Sequence, residues 1–346
     1  MLIRDIRQAA RTWANEVLDW KPGIIGAFSH GSTNWLTETD QTLPHSDLDI
    51  IVVIDNSEPD IERGKFMFHG ALLDVSFAPA ELFQSAESIL GQSHLAGSFR
   101  ESTILLDPTG KLGQLRTDVA RGFARRNWVQ YRCDQVIQRI MTFLGSIDPA
   151  RPFYENVTSC LFGTGVTTHV LLIAGLQNPT VRRRYVAVRE MLDGYGRLDV
   201  HDQLLALLGS RDLTREHVQR HLDSLERVFD VAAEEISSPF FFASDISPMT
   251  RDIAVKGSAE MIENGDYREA MFWIAATWAR CMAVLDQDAS PSVYASHEPA
   301  FMKMTSDLGI ESSSSLEVRA DAVRAFLPRL TEIANEIINA DPAVTD

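Results

Sequence analysis

The most constraining feature of this 346-residue chain is an apolar stretch that carries two acids at alternate positions. It reads Ser46-Asp47-Leu48-Asp49-Ile50-Ile51-Val52-Val53-Ile54. Its β-branched residues predict a buried strand, on which residues two apart project from one face, about 6.6 Å apart at Cα. We therefore expect Asp47 and Asp49 to converge, and a buried, unpaired carboxylate is strongly unfavourable. A shared Mg²⁺ is the compensation that we expect.

A Gly-Ser pair follows an earlier apolar run, Ile24 to Phe28. A strand that ends in small residues and opens into a helix presents backbone N–H groups that suit phosphate oxygens. Taken alone, Gly31 is equally well explained as a turn glycine and Ser32 as an ordinary helix cap. Beside the two acids we interpret Gly31 and Ser32 as a phosphate-binding turn, and we expect Ser46 to assist.

A third acid, Asp74, lies in a strand-like run from Ala71 to Phe77. The dipeptide His69-Gly70 separates this run from Phe66-Met67-Phe68, which predicts a two-residue hairpin and an antiparallel partner for Asp74. Without the other acids, Asp74 would be interpreted as a solvent-facing residue. With them, we expect three carboxylates that together hold two cations.

The ordered segments AFSHGS, HSDLDIIVVI and LLDVSF resemble the nucleotidyltransferase superfamily that includes DNA polymerase beta. Within it, they resemble the bacterial adenylyltransferases of aminoglycoside antibiotics. The family pattern is a strand, Gly-Ser, a helix, Asp-x-Asp on the next strand and a third acid on a later one. The resemblance covers about residues 20–80, and the polar segment 37–45 makes the loop before the acid pair longer than in many relatives.

This resemblance implies Mg²⁺-dependent transfer of a nucleoside monophosphate, AMP from ATP, to a hydroxyl of a small acceptor such as an aminoglycoside, with release of pyrophosphate. Asp47, Asp49 and Asp74 would be the catalytic residues and would hold two Mg²⁺ ions. Gly31, Ser32 and Ser46 would bind the nucleoside triphosphate. A separate general base is expected in the helical part, where Glu155 and Glu190 remain open alternatives.

One neighbour of the Gly-Ser pair invites a metal-ligand interpretation. His30 directly precedes Gly31. We interpret it as a packing residue, because the sequence offers no two further nitrogen ligands at the spacing of a zinc site.

Other functions fit the same acids, since a metal site does not specify the acceptor. One alternative is a nucleotidyltransferase that modifies a protein or a toxin partner. Another is a regulatory protein that binds nucleotide without turnover, although three retained acids argue against it because they are unfavourable without metal.

The charge of the chain disfavours nucleic acid as a partner. The net charge of −16 divides evenly between residues 1–120 and the remainder, so both parts are acidic. Binding of a polyanion such as nucleic acid typically requires a basic domain, which neither part provides. An acidic surface attracts small cations such as polyamine-like antibiotics, but it serves solubility equally well. The expected partners are therefore a nucleoside triphosphate and a small-molecule acceptor, with the oligomeric state open.

Cysteine usage and hydropathy indicate a cytoplasmic protein. The three cysteines are widely separated and predict neither a disulfide framework nor a zinc site. Charges occur within the first seven residues, where a secretory signal needs an apolar core, and no uninterrupted apolar run reaches about 18 residues. We expect a soluble protein without a membrane partner.

The predicted fold class is α+β with two domains. Residues 1–110 are expected to form a nucleotidyltransferase-type mixed sheet flanked by helices, including an amphipathic helix over 3–19. Residues 111–346 are expected to form an all-helical, substrate-binding domain. Its predicted helices cover 111–145, 156–176, 179–193, 200–209, 214–236, 249–264, 266–286 and 317–340. Asn178-Pro179 is the expected start of one helix, and Ser312 to Ser315 is expected to be a linker.

Overall fold

A mixed β-sheet forms the centre of the N-terminal part. The computed structural model describes residues 1–18, 22–41, 46–55 and 64–346. The strands in these ranges are β1 (Ile24–His30), β2 (Leu48–Ile54), β3 (Gly64–Phe68), β4 (Ala71–Pro79) and β5 (Ile104–Leu106). Their order is β3-β4-β2-β1-β5, with β2 and β4 parallel and every other neighbouring pair antiparallel.

Helices flank this sheet and form most of the remaining described part of the chain. The first are α1 (Ile3–Trp13), α2 (Ala86–Leu90), α3 (Ala96–Arg100), α4 (Lys111–Gly122) and α5 (Arg126–Gly145). The later ones are α6 (Phe153–Gly165), α7 (Thr167–Ala174), α8 (Arg184–Gly194), α9 (Leu198–Leu208), α10 (Arg215–Glu235), α11 (Arg251–Ala254), α12 (Lys256–Glu263), α13 (Tyr267–Asp288), α14 (Pro291–Asp307) and α15 (Ser313–Ala340). This arrangement confirms the predicted α+β class.

The chain divides into two compact units. The first comprises Met1–Arg132 together with Leu176–Asn178 and Asp341–Asp346, and the second comprises Cys133–Gly175 and Pro179–Ala340. The boundary predicted at residue 110 falls inside the first unit, because α4 packs on α2 and α3 through Leu112 and Val119.

Both faces of the sheet are covered, which explains why β2 is apolar along almost its whole length. On one face, Leu48 and Ile50 pack in a cluster with residues of α1 such as Trp13. On the other face, Val53 packs in a second cluster with residues of α2, α3 and α4 such as Phe99. Alternation along β2 therefore directs its odd-numbered side chains to the α3 and α4 face.

The hairpin predicted from His69-Gly70 is confirmed. Strands β3 and β4 are antiparallel, and Phe68 pairs with Ala71. His69 and Gly70 have φ angles of 47° and 80°, the positive values that a tight two-residue hairpin turn requires. The same register places Lys65 directly opposite Asp74.

The second unit is helical, as predicted, and α13 lies at its centre. Met271, Phe272 and Trp278 are buried there and pack in the core of this unit. Neighbouring helices α6, α10, α12 and α14 pack against α13.

Three local predictions for this unit were wrong. Helix α8 begins at Arg184 and not at Pro179, since the carbonyls of Thr180 and Val181 accept from the side chains of His169 and Arg184. Helix α14 was not predicted, because few of its residues are buried and its apolar periodicity is weak.

The supposed serine linker was the third of these errors. Ser313 begins α15, and Ser312 and Ser315 exchange backbone-to-side-chain hydrogen bonds as a reciprocal helix cap.

One helical stretch in the described residues, Phe153–Ala174, is long and apolar enough to cross a membrane. Its most apolar window is 89% buried inside the protein, as is typical of the core helix of a soluble globular protein.

Candidate metal centre

The three predicted acids lie together at the neighbouring interior strands β2 and β4. Because β2 and β4 are parallel neighbours, Asp49 is paired with Asp74, and Asp47 directly precedes β2. One carboxylate oxygen from each of the three residues lies within 4.8 Å of the other two. The side chains are partly buried, and each offers an oxygen of the kind that Mg²⁺ prefers.

A glycine turn lies against this cluster. Gly31 follows β1, and its φ of 73° and ψ of −162° lie in a region open essentially only to glycine. A Cβ added at Gly31 would lie 1.9 Å from Asp49 Oδ2. Gly31 is therefore required for its backbone conformation and also for the close approach of the Asp49 carboxylate.

A buried hydrogen-bond network holds this turn in place. The Gly31 N–H donates to Ser98 Oγ at 2.9 Å, and Asn34 Nδ2 donates to Ser98 Oγ at 3.0 Å and to the Ser29 carbonyl at 3.1 Å. Ser29 Oγ in turn donates to Asn34 Oδ1 at 2.5 Å. These contacts tie the end of β1 to α3.

This network changes the expected role of the turn. We expected the Gly31 N–H to be available to phosphate, but it is engaged by Ser98. The predicted helix after Gly31 is a single 3₁₀ turn, Ser32–Trp35. Ser32 is exposed at its start and stays the candidate for contact with a phosphate oxygen.

A lysine that was not predicted as a site residue lies among the acids. Lys65 Nζ lies 2.5 Å from Asp74 Oδ2 and 3.4 Å from Asp47 Oδ2. Only 10% of the Lys65 side chain is exposed. Three carboxylates and one ammonium leave the cluster with a surplus of negative charge.

The surroundings of Asp49 oppose its ionisation. Burial, followed by the negative charges of Asp47 and Asp74, raises the pKa of the Asp49 carboxyl well above its usual value. Lys65 acts in the opposite direction without cancelling these effects. A divalent cation bound to the three carboxylates would remove this repulsion, so their chemistry fits a metal site.

His30 and Ser46 border the cluster. His30 pairs with Asp49 across β1 and β2, and burial lowers the pKa of its imidazole to about 4. Its Nδ1 is buried and has no hydrogen-bond partner within the described part of the chain. Ser46 Oγ donates to the carbonyl of Asp47 at 3.4 Å. The neutral, buried imidazole supports a packing role for His30.

The sequence contains a signal for Lys65, although this residue was not predicted. A two-residue turn at His69-Gly70 fixes the register of β3 and β4, and extending that register places Lys65 opposite Asp74. No comparable signal pointed to Asn34 or Ser98, because their contacts depend on how α3 packs against β1.

Comparisons with models of known protein families and with curated proteins find no match to this chain. The resemblance to nucleotidyltransferases therefore stays a prediction, based on the ordered motifs in the first 80 residues.

Proposed function

We propose that this protein is a Mg²⁺-dependent nucleotidyltransferase that transfers AMP from ATP to a hydroxyl group of a small, cationic acceptor such as an aminoglycoside. The observation that carries the proposal is the convergence of Asp47, Asp49 and Asp74 beside the Gly31 turn. The ordered motifs of the sequence support the same function.

The proposed reaction is an in-line displacement at phosphorus. The acceptor hydroxyl oxygen forms a bond to the α-phosphorus, the bond from that phosphorus to the bridging β-phosphate oxygen breaks, and pyrophosphate leaves. The hydroxyl proton passes to solvent or to a base, a role for which neither Glu155 nor Glu190 is singled out.

The residues of the cluster have separate parts in this reaction. Asp47 and Asp49 would hold the metal that orients the triphosphate, and Asp74 would complete the position nearest the acceptor. Mg²⁺ held by these residues would supply charge neutralisation and would lower the pKa of the acceptor hydroxyl. Ser32 and Ser46 would contact phosphate oxygens, while Gly31 permits the approach of Asp49.

The charge of the protein supports the choice of acceptor. A net charge of −16 raises the local concentration of cationic molecules and opposes binding of polynucleotides. The proposed location is the cytoplasm, where ATP and Mg²⁺ are available.

The test is pyrophosphate release from each of the four nucleoside triphosphates with Mg²⁺, against a panel of aminoglycosides and other hydroxyl-bearing cations. We expect release that requires an acceptor and that Asp49→Asn abolishes. Glu81→Gln, which changes an exposed carboxylate of the same unit, is the matched control and should retain activity. Release that is equal in both variants would refute the proposal, and tight nucleotide binding without release would favour a protein acceptor or a regulatory role.

A further inference from the structure

Lys65 occupies a position in the acid cluster that a metal ion would also need. Its ammonium contacts oxygens of both Asp74 and Asp47, at 2.5 and 3.4 Å. A Mg²⁺ ion bound by the same two oxygens would lie about 2.0–2.1 Å from each of them. The ammonium and the ion would then lie within a few ångströms of each other, and both are cations.

The pairing of β3 with β4 fixes the position of Lys65, and most of its side chain is buried. Lys65 lies directly opposite Asp74 in the antiparallel pair of β3 and β4, so the two side chains share one face. With 10% of its side chain exposed, Lys65 has exchanged most of its hydration for contacts with carboxylates.

The two cations are therefore alternatives on this side of the cluster. Two like charges a few ångströms apart repel each other strongly when both are partly buried. The cluster as described accommodates the ammonium between Asp47 and Asp74, while Asp49 is held against Gly31.

We infer that Lys65 is the resident cation of the Asp47 and Asp74 carboxylates and that it competes with a divalent metal ion for them. Binding of the metal moves the ammonium out of the cluster. Lys65 thus lowers the affinity of these carboxylates for metal. The inference rests on the proposed function in one respect, namely that the acid cluster binds metal.

The first experiment measures Mn²⁺ binding to the full chain by calorimetry in the absence of nucleotide. We expect Lys65→Met to bind Mn²⁺ at least about tenfold more tightly than the unmodified protein, because a competing charge is removed. Lys111→Met is the matched control, since it removes an exposed lysine of the same unit that the structure places at the start of α4. Equal affinities for Lys65→Met and Lys111→Met would overturn the inference.

The second experiment uses the unmodified protein, so it does not depend on the folding of a variant. Lysines are acetylated with an amine-reactive reagent, and the modified sites are quantified by mass spectrometry with and without saturating Mn²⁺. We expect Mn²⁺ to increase the labelling rate of Lys65 and to leave that of Lys111 unchanged. An unchanged rate at Lys65 while Mn²⁺ is bound would overturn the inference.

Asp49→Asn separates failure of this inference from failure of the proposed function. If Asp49→Asn abolishes Mn²⁺ binding but Lys65→Met has no effect on it, the competition is refuted and the metal site stands. If Mn²⁺ binds neither to the unmodified protein nor to Lys65→Met, both are refuted.

Discussion

Replacing Gly31 by alanine is the most direct test of the geometry around the acid cluster. The φ of 73° and ψ of −162° at Gly31 would place alanine in a region that is unfavourable by about 1–3 kcal/mol. The new Cβ would lie 1.9 Å from Asp49 Oδ2, whereas ordinary contact begins at 3.4 Å, so the carboxylate must move by about 1.5 Å. Overpacking of this kind adds about 1–3 kcal/mol.

We therefore expect Gly31→Ala to lower the free energy of unfolding by about 2–6 kcal/mol and to weaken Mn²⁺ binding. The assay is urea unfolding of the metal-free protein, followed by circular dichroism. Gly110→Ala is the control, because Gly110 has a φ of 74° but a Cβ there meets nothing within 4 Å. Alanine at this position would adopt a left-handed conformation without a clash, so Gly110→Ala should lower stability by only about 1–2 kcal/mol.

A double-mutant cycle isolates the contact between the two residues. In an Asp49→Ala background, the Cβ at position 31 meets no carboxylate, so Gly31→Ala should lower stability by less than it does in the unmodified protein. The reasoning is refuted if Gly31→Ala and Gly110→Ala have equal effects and the cycle gives a coupling below about 0.5 kcal/mol.

Three further predictions concern other parts of the protein. Ser98→Ala removes an acceptor shared by Gly31 and Asn34 and should lower stability by about 1–3 kcal/mol, whereas Ser102→Ala, which loses one bond within its own turn, should have a smaller effect in the same urea assay. Burial, followed by the positive charge of Arg189, lowers the pKa of His201 to about 4 in the folded protein. Between pH 4 and 6.5 the unfolded state therefore binds more protons than the folded state, so stability should fall as pH decreases across this range. His201→Gln should flatten this fall, and an identical pH profile of the urea midpoint would contradict the assignment. Mn²⁺ should raise the thermal midpoint of the metal-free protein and a chelator should reverse the rise, since the ion binds the folded state; absence of any shift would count against the metal centre.

The placement of Asp47 and Asp49 at the start of β2 was predictable because the pattern that encodes it is local. An apolar run with acids at alternate positions indicates a strand and a shared face from sequence alone, as for Asp47 and Asp49. The sequence alone could not establish that Asp74 lies next to these two acids, since this depends on which strand lies beside β2. The parallel pairing of β2 and β4 supplies that adjacency.

Features that depend on packing between distant segments were not predictable. The hydrogen bond between Gly31 and Ser98 joins residues 67 positions apart and requires α3 to pack against the end of β1. The boundary predicted at residue 110 differs from the edge of the first unit for a similar reason, because the helical periodicity that starts at α4 does not reveal that α4 covers the sheet. Lys65 is an intermediate case, predictable from the hairpin register once the turn is accepted.

The first unit contains chain segments that are far apart in the sequence. Thr345 exchanges backbone hydrogen bonds with Ala124 and Arg126, and Asp346 forms an ion pair with Arg126. A gene fragment ending at codon 132 would therefore leave those backbone groups without their partners. Anyone wishing to express the sheet-containing half by itself should join residues 341–346 back to it through an engineered connection, because the physical unit is not a contiguous stretch of the polypeptide.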